Sequence, residues 1–281
     1  FTAALSIPAT GTLTINNSTS TFSGTVGSGG AGAVINALGS TVTFTGTVTF
    51  TNLTLNTNSN TNLTFNANQT AAGDQIPTLT VNNLTIGNNS VTFNGNITIY
   101  GDYNRTAAGT TTVGSNTFIC YGSFTNPNGG DFIASGSTVK LYGTVTNWGA
   151  NETEFLTDNT TTLEILGSGT LPNFVTANPK NFGDFTLNRP GVTFNVTGAN
   201  AITFNSLTIT AGTVSLPDAA HTVTTTTSIG ANGTLSLANV TTADNGITFT
   251  TGLSGSGSII ANGGNAADEP VIIIAAGCNY T

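Results

Sequence analysis

Few residues in this chain could carry out acid–base chemistry. The basic side chains and the single histidine are Arg105, Lys140, Lys180, Arg189 and His221. Two local pairs stand out, Asp102 with Arg105 and Asp218 with His221. Hydrolysis or elimination at a glycosidic bond needs two or three carboxylates, commonly with a basic group, that converge on one face. We interpret both pairs as turn pairs with solvated side chains, and we predict that the chain is not an enzyme.

Acidic residues cluster in two places. Glu152, Glu154 and Asp158 lie close together in sequence, and Asp268 precedes Glu269. Carboxylates of this kind can hold calcium, but neither spacing matches a known oxygen-ligand loop. We therefore predict neither a metal site nor a cofactor.

The composition excludes several other classes of function. Charged residues make up 6% of the chain and the net charge is −8. Nucleic-acid binding requires a basic surface that is missing here, and anionic membranes are disfavoured for the same reason. The sequence has no apolar run of about twenty residues, so we predict no membrane insertion. Because 37% of the residues are apolar and 16 are phenylalanines, we also reject disorder.

The elements that must position these residues are strands. The segment 41–56, TVTFTGTVTFTNLTLN, alternates apolar residues with threonine at period two, which is typical of a half-buried strand. Gly46 interrupts the apolar series. The alternation changes parity at Thr51 and Asn52, which predicts a corner between two strands. Apolar residues at helical spacing are absent over any three turns, so the predicted class is all-β.

Looser copies of this segment recur along the chain. Aligned on Gly46, they place glycines at Gly24, Gly95, Gly122, Gly143 and Gly167, with a mean spacing of about 24 residues. The alignment also places Cys120 at the position of Phe44. Such spacing predicts a right-handed parallel β-solenoid of about eleven coils, and a β-sandwich is the alternative. We predict one solenoid domain over residues 1–281, with uncapped ends and with residues 268–281 forming a C-terminal tail strand.

Two stretches interrupt the repeat and are predicted to be protruding loops, residues 66–78 and residues 100–112, which include Arg105. Residues 147–158, which contain the only tryptophan, are predicted to be a surface loop and a candidate contact site. Elsewhere, outward threonines can stack between coils without the repulsion that charged residues would cause. This accounts for the low charge.

Possible modification sites are the sequons and the cysteines. Asn-x-Ser/Thr acceptors are numerous, although the composition alone would produce about ten. The glycosylation candidates are Asn52, Asn83, Asn104, Asn151 and Asn232. Cys120 is predicted to be a buried apolar residue. Cys278 lies about six coils away, so we expect any disulfide at Cys278 to link two subunits.

Both terminal regions are apolar. The chain opens with FTAALSIP and closes with residues 270–276, PVIIIAA, and neither carries a recognisable cap. Uncapped strands favour the addition of another chain, so the predicted assembly contacts are Phe1, Val271, Ile272, Ile273 and Ile274. The partner would be another copy of the chain. Alternatively, a larger precursor was trimmed and these segments were once internal.

The units GSTVTFTGTVTF, VNNLTI, FNSLTITAGTVSL and IGANGTLSL resemble the Thr/Asn/Gly-rich strand repeats of prokaryotic surface proteins. These include filamentous-haemagglutinin-like and autotransporter-passenger β-solenoids, and archaeal surface-layer or sheath proteins. The resemblance implies an extracellular β-solenoid at the cell surface or envelope, with structural or adhesive work. We predict a self-assembling sheath, surface-layer or filament subunit. An adhesin that binds glycans is the second hypothesis, and a polysaccharide-acting enzyme is the third.

Overall fold

The computed structural model describes residues 1–242, 245–261, 270–275 and 279–280. Their secondary structure consists of strands, most of which are short, although three in the C-terminal half span 14, 10 and 11 residues. The first strands are β1 (Leu5–Ile7), β2 (Thr12–Thr14), β3 (Thr19–Phe22), β4 (Val26–Ser28), β5 (Ala33–Asn36), β6 (Thr41–Phe44), β7 (Leu53–Asn56), β8 (Asn62–Phe65), β9 (Leu79–Val81), β10 (Asn83–Ile86) and β11 (Val91–Thr92). The middle strands are β12 (Ile97–Ile99), β13 (Tyr103–Arg105), β14 (Gly109–Thr112), β15 (Thr117–Cys120), β16 (Phe124–Thr125), β17 (Gly130–Ile133), β18 (Thr138–Leu141), β19 (Val145–Asn147), β20 (Phe155–Leu156), β21 (Thr162–Leu166) and β22 (Phe174–Val175). The last are β23 (Lys180–Asn181), β24 (Asp184–Thr197), β25 (Ile202–Phe204), β26 (Ser206–Ser215), β27 (Ala220–Val223), β28 (Thr226–Ser236), β29 (Gly246–Phe249), β30 (Gly252–Gly255), β31 (Ser258–Ile260), β32 (Val271–Ile274) and β33 (Asn279–Tyr280).

These strands stack as a parallel β-solenoid of about 12 turns, which confirms the predicted fold class over the β-sandwich. The largest sheet has 12 strands and includes β9, β12, β15, β18, β21 and β24 in that spatial order. We call it the long sheet. A seven-stranded sheet, with β3, β6, β8 and β10 as neighbours, forms another side of the early coils, and a five-stranded sheet from β23 to β32 forms another side of the late coils.

The core consists of the inward residues of every coil, from Ile7 to Leu253. Register partners in neighbouring coils are often residues of the same type, and their side chains stack. Phe22, Phe44 and Phe65 form one such column, with neighbouring ring centroids 5.3 Å apart. Period-two alternation thus becomes a continuous apolar interior. Thr41–Phe44 is a strand, as predicted, and the predicted corner is confirmed by the positive φ of 60° at Asn52.

The alignment on Gly46 was wrong in one respect, because it joined strands of different sheets. Phe44 lies in the seven-stranded sheet, whereas Cys120 lies in the long sheet opposite Ile99 and Leu141. Both side chains point inward and are buried. Every side of a coil uses the same alternation of apolar and polar residues, so the pattern by itself cannot identify the sheet that a strand joins.

The three predicted loops are largely incorporated into the coils. Residues 66–78 pair with the next coil through Gln69 and Ile76, and residues 100–112 contain β13 and β14. In residues 147–158, Trp148 is 2% exposed and packs against Phe124 and Phe155. The prediction of protruding loops was wrong because the irregular spacing reflects longer corners, while the aromatic residues in these corners still turn into the core.

Candidate assembly surfaces

The first coil presents the outer face of one aromatic ring. Phe1 stacks on Phe22 with ring centroids 4.9 Å apart, and so extends the phenylalanine column. Its ammonium group donates a hydrogen bond to Thr21 O at 2.9 Å. Phe22 is only 1% exposed beneath it, whereas Phe1 remains 63% exposed.

Strand β32 presents a row of apolar side chains. It pairs with β29 along one edge, and no other described residue pairs with its second edge. Ile272 and Ile274 occupy the inward positions of the coil, opposite Ile247 and Phe249. Ile247 and Phe249 are buried, but Ile272 is 39% and Ile274 is 47% exposed, and Val271 and Ile273 are similarly open. Counting only described residues, the inward positions of this strand therefore have one neighbouring layer, whereas those of the interior coils have two.

Polar ladders cover the sides of the solenoid. Asn56 donates to Asn36 Oδ1 at 2.7 Å, and Asn83 donates to Asn62 Oδ1 at 2.8 Å. The salt bridge found among the described residues joins Lys140 Nζ to Glu164 Oε2 at 3.0 Å, between register partners in adjacent coils. Such ladders satisfy side chains within the chain and leave little charge on the surface.

The two basic pairs predicted as solvated turn pairs do not exist in that form. Arg105 is 1% exposed and donates to Thr111 Oγ1 at 2.6 Å and to Asn89 O at 2.8 Å. Asp102 instead accepts a hydrogen bond from Ser123 N. The prediction was wrong because Arg105 shares the inward parity of Tyr103, and its guanidinium meets main-chain carbonyls there. Burial lowers the pKa of Arg105, although the neighbouring Tyr103 opposes that shift.

His221 is also buried, at 2% exposure. Its Nδ1 accepts a hydrogen bond from Ile202 N at 3.0 Å, and its Nε2 lies 2.9 Å from Pro217 O, so the ring is neutral with the proton on Nε2. Burial lowers the pKa of His221. Asp218 instead accepts hydrogen bonds from Thr241, Thr242 and Asn245; these outweigh the effect of burial and hold its pKa well below the usual range.

The acidic cluster does not converge. Glu152 reaches towards the next coil and accepts from Ala177 N at 2.6 Å and Asn178 Nδ2 at 2.8 Å. Burial alone would raise the pKa of Glu152, but these hydrogen bonds lower it overall. Glu154 reaches towards the preceding coil and accepts from Gly129 N at 2.8 Å. Burial would also raise the pKa of Asp158, but hydrogen bonds donated by Thr160 outweigh this effect and lower the pKa overall.

Across the described ranges, no three His, Cys, Asp or Glu side chains are grouped so that they could hold a metal ion. Asp268 and Glu269 lie outside the described residues.

The glycosylation candidates differ in the exposure and hydrogen bonding of their side-chain amides. Asn52, Asn104 and Asn232 are exposed. Asn83 is half-buried, and both of its amide atoms are engaged, since its Oδ1 also accepts from Asp102 N at 2.7 Å. Asn151 Oδ1 accepts from Thr153 N at 2.9 Å, within its own sequon. The structure therefore favours the first three as acceptors.

The predictions for the two cysteines have different outcomes. Cys120 is a free, fully buried thiol, as predicted, and burial raises its pKa to about 12. Cys278 lies outside the described residues, so the predicted intersubunit disulfide stays a prediction.

Two buried cations were missed at the sequence level. Arg189 is fully buried, and its Nη2 donates to Leu166 O and Gly143 O, both at 2.8 Å, which ties three successive coils together. Burial lowers its pKa to about 10. Lys180 Nζ donates to Phe155 O at 2.6 Å, and burial lowers its pKa to about 8. The parity that Arg189 shares with Leu187 was the signal that could have revealed its burial.

Comparison with known proteins gives no relative: no family model, curated protein or solved structure matches the chain. Among the described residues, no helix has the length and apolar character needed to span a bilayer.

Proposed function

We propose that the chain is a self-assembling structural subunit of an extracellular layer, sheath or filament of a prokaryotic cell envelope. The observation that carries the proposal is the open apolar edge of β32. Its inward residues Ile272 and Ile274 are 39% and 47% exposed at positions that are buried in the coil below. A parallel strand with an apolar row, and with one edge to which no described residue pairs, is a template for another strand of the same pitch.

The partner at this edge would be the first coil of another copy. Phe1 is exposed at the opposite end of the described stack, and β1 pairs with β4 along one edge only. The second edge of β3 is partly occupied, because Phe1 N donates to Thr21 O and Ser23 N donates to Phe1 O. Contacts between different ends of identical subunits propagate into a filament, or close into a ring if the rotation per subunit allows it. The uncharged ladders along the sides suit dense packing, because little charge has to be desolvated or separated.

The test uses the 281-residue chain, with negative-stain microscopy and light scattering as measurements. The wild type should form polymers as its concentration rises. Ile272→Lys/Ile274→Lys should form no polymers, because two ammonium groups would be buried at the contact. Val175→Lys is the matched control, since Val175 is 44% exposed on β22; it should polymerise as the wild type does.

Two results would refute the proposal. One is a wild-type chain that forms no polymers at high concentration. The other is a double lysine variant that polymerises as readily as the Val175→Lys control. A monomeric chain that binds glycans would instead favour the adhesin hypothesis.

A further inference from the structure

Three tyrosines form a row on the outer face of the long sheet. Tyr100, Tyr121 and Tyr142 directly follow β12, β15 and β18, one in each successive coil. Neighbouring ring centroids are 5.3 Å and 4.7 Å apart, and the ring planes differ by 20° and 25°. Tyr100 is 52% and Tyr121 41% exposed, and Tyr142 is half-buried. We call this feature the tyrosine row.

The backbone holds the tyrosine row rigidly. Tyr121 N donates to Ile99 O and Tyr142 N donates to Cys120 O, both at 2.9 Å. Each tyrosine is followed by a glycine at a tight corner, and a Cβ on Gly122 or Gly143 would overlap the main chain of the coil below. The main chain thus sets the tyrosines at the strand spacing, and their mutual stacking restricts the rings, which lowers the cost of ordering them against a partner.

The tyrosine row offers ring edges and hydroxyl groups to a partner. Both faces of Tyr121 are covered by its stacked neighbours. No residue in the described part of the chain forms a hydrogen bond with the three phenol hydroxyls. A sugar that stacks on an aromatic ring needs a free face, so the middle of the row is poorly suited to a glycan. A second row of the same pitch could instead pack against the edges, as paired sheets do in a steric zipper.

The outward residues that lie two positions before each tyrosine form a second row beside the tyrosine row. Thr98, Ile119 and Lys140 are register partners in the same three coils. The next coil adds Glu164, which neutralises Lys140 through the 3.0 Å salt bridge. The charges near the tyrosine row are therefore the Lys140–Glu164 pair, displaced to one side of Tyr121, and the exposed Asp102, whose carboxylate accepts a hydrogen bond from Ser123 N.

We propose that the tyrosine row is a lateral contact between two copies of this chain, related by a two-fold axis that passes beside Tyr121. The axis places Tyr121 opposite Tyr121 and Tyr100 opposite Tyr142, so the two solenoids run antiparallel. It also places Lys140 opposite Thr98, and no charge meets its own copy. A two-fold contact uses the same patch on both chains, and equal strand pitch keeps all three steps in register.

The contact is modest in size. A stable interface buries about 1,200–2,000 Å² in total, and an aromatic side chain contributes at most about 150–250 Å². The tyrosine row and the neighbouring row of Thr98, Ile119 and Lys140 therefore form a reversible dimer. Its affinity becomes high only where stacked copies repeat the contact. That strengthening rests on the proposed axial assembly, but the contact itself does not. It can be tested with axial assembly blocked.

The first experiment is sedimentation of the full chain in the Ile272→Lys/Ile274→Lys background, up to about 1 mM, the weak end of specific binding. We expect a reversible dimer. Adding Tyr100→Ser/Tyr121→Ser should weaken dimerisation at least tenfold, whereas adding Val175→Ser, the matched exposed control, should leave it unchanged. A monomer at every concentration, or equal dimerisation in the tyrosine variant, would overturn the proposal.

The second experiment tests the two-fold axis and does not depend on the serine variants. In the same background, Tyr121→Lys and Tyr121→Glu should each be monomeric, because identical charges would face each other. Their mixture should form a heterodimer at least tenfold more readily than either alone, and circular dichroism checks that both fold. A mixture that stays monomeric overturns the axis. Tyrosine-dependent retention on a neutral polysaccharide without self-association also overturns the proposal, and assigns the row to a glycan.

Discussion

The glycines at the corners after β12, β15 and β18 should be irreplaceable for steric reasons. Gly143 has an ordinary negative φ, yet a Cβ there would overlap the carbonyl oxygen of Gly122 in the coil below. To relieve the overlap, neighbouring coils would have to separate by about 1 Å at this corner, because packed carbon and oxygen atoms need more than 3 Å. Gly143→Ala should therefore destabilise the protein, although it adds only one methyl group.

The magnitude follows from what the separation disrupts. Overpacking of a tight site costs about 1–3 kcal/mol. The shift also weakens the hydrogen bonds from Tyr142 N to Cys120 O and from Ser168 N to Tyr142 O, at about 1 kcal/mol each. The total is about 4 kcal/mol. For 281 residues at about 2.1 cal/mol/K each, the expected fall in Tm is about 7 °C if unfolding is cooperative.

The assay is thermal melting together with amide hydrogen exchange, because a stacked repeat protein can open locally without melting as a whole. Exchange should accelerate in residues 120–122 and 142–145. Gly252→Ala is the control, since the nearest atom to its added Cβ is Thr226 Cγ2 at 3.8 Å. If Gly143→Ala melts and exchanges like the wild type and this control, the inferred contact between the glycine corners is wrong.

Three further predictions concern buried titratable groups. Burial lowers the pKa of Lys180 from 10.5 to about 8, so between these values the unfolded chain binds more protons and the free energy of unfolding rises with pH. From pH 8 to 10.5, denaturant titrations should show the wild type gaining about 3 kcal/mol relative to Lys180→Met, in which the other groups are unchanged; parallel curves would contradict this. The lowered pKa of His221 means that its contribution is complete above pH 6.5 and is lost as the pH falls through the folded-state value. His221→Gln should therefore flatten the acid limb of the pH–stability curve, and an unchanged limb would show that His221 does not contribute. Finally, Cys120 has a pKa of about 12 and no exposure, so iodoacetamide should label it only after unfolding; rapid labelling of the native protein, followed by peptide mass spectrometry, would show that the coil opens there.

Local sequence predicted the strand-level features of the molecule well. The period-two alternation predicted the strand Thr41–Phe44, and the change of parity predicted the corner at Asn52. Both signals are contained in a few neighbouring residues. The same reasoning failed for Arg105 and Trp148, which were assigned to loops because of irregular spacing. Both side chains turn into the coil, where packed rings or main-chain carbonyls from other coils receive them.

The surfaces that we propose for assembly could be predicted from the sequence only in part. The exposed strand Val271–Ile274 was predicted because an apolar run in the sequence has no matching polar alternation. The tyrosine row could not be recognised in the same way. Tyr100, Tyr121 and Tyr142 are about 21 residues apart, so they align only if the intervening corners return the chain to the same side of the coil.

The sequence by itself determined that this chain forms short strands, which residues of each strand face inward, and that the strands repeat as a parallel stack. These features follow from the period-two alternation and from the repeat length. Both signals are visible in a sequence segment as long as one or two coils. Only the tertiary structure decided which sheet each strand joins, where Arg189 and Lys180 find their carbonyl acceptors, and which outward side chains form rows. Those outcomes depend on corner geometry summed over many coils, because a shift of one residue at any corner moves every later side chain to a different position.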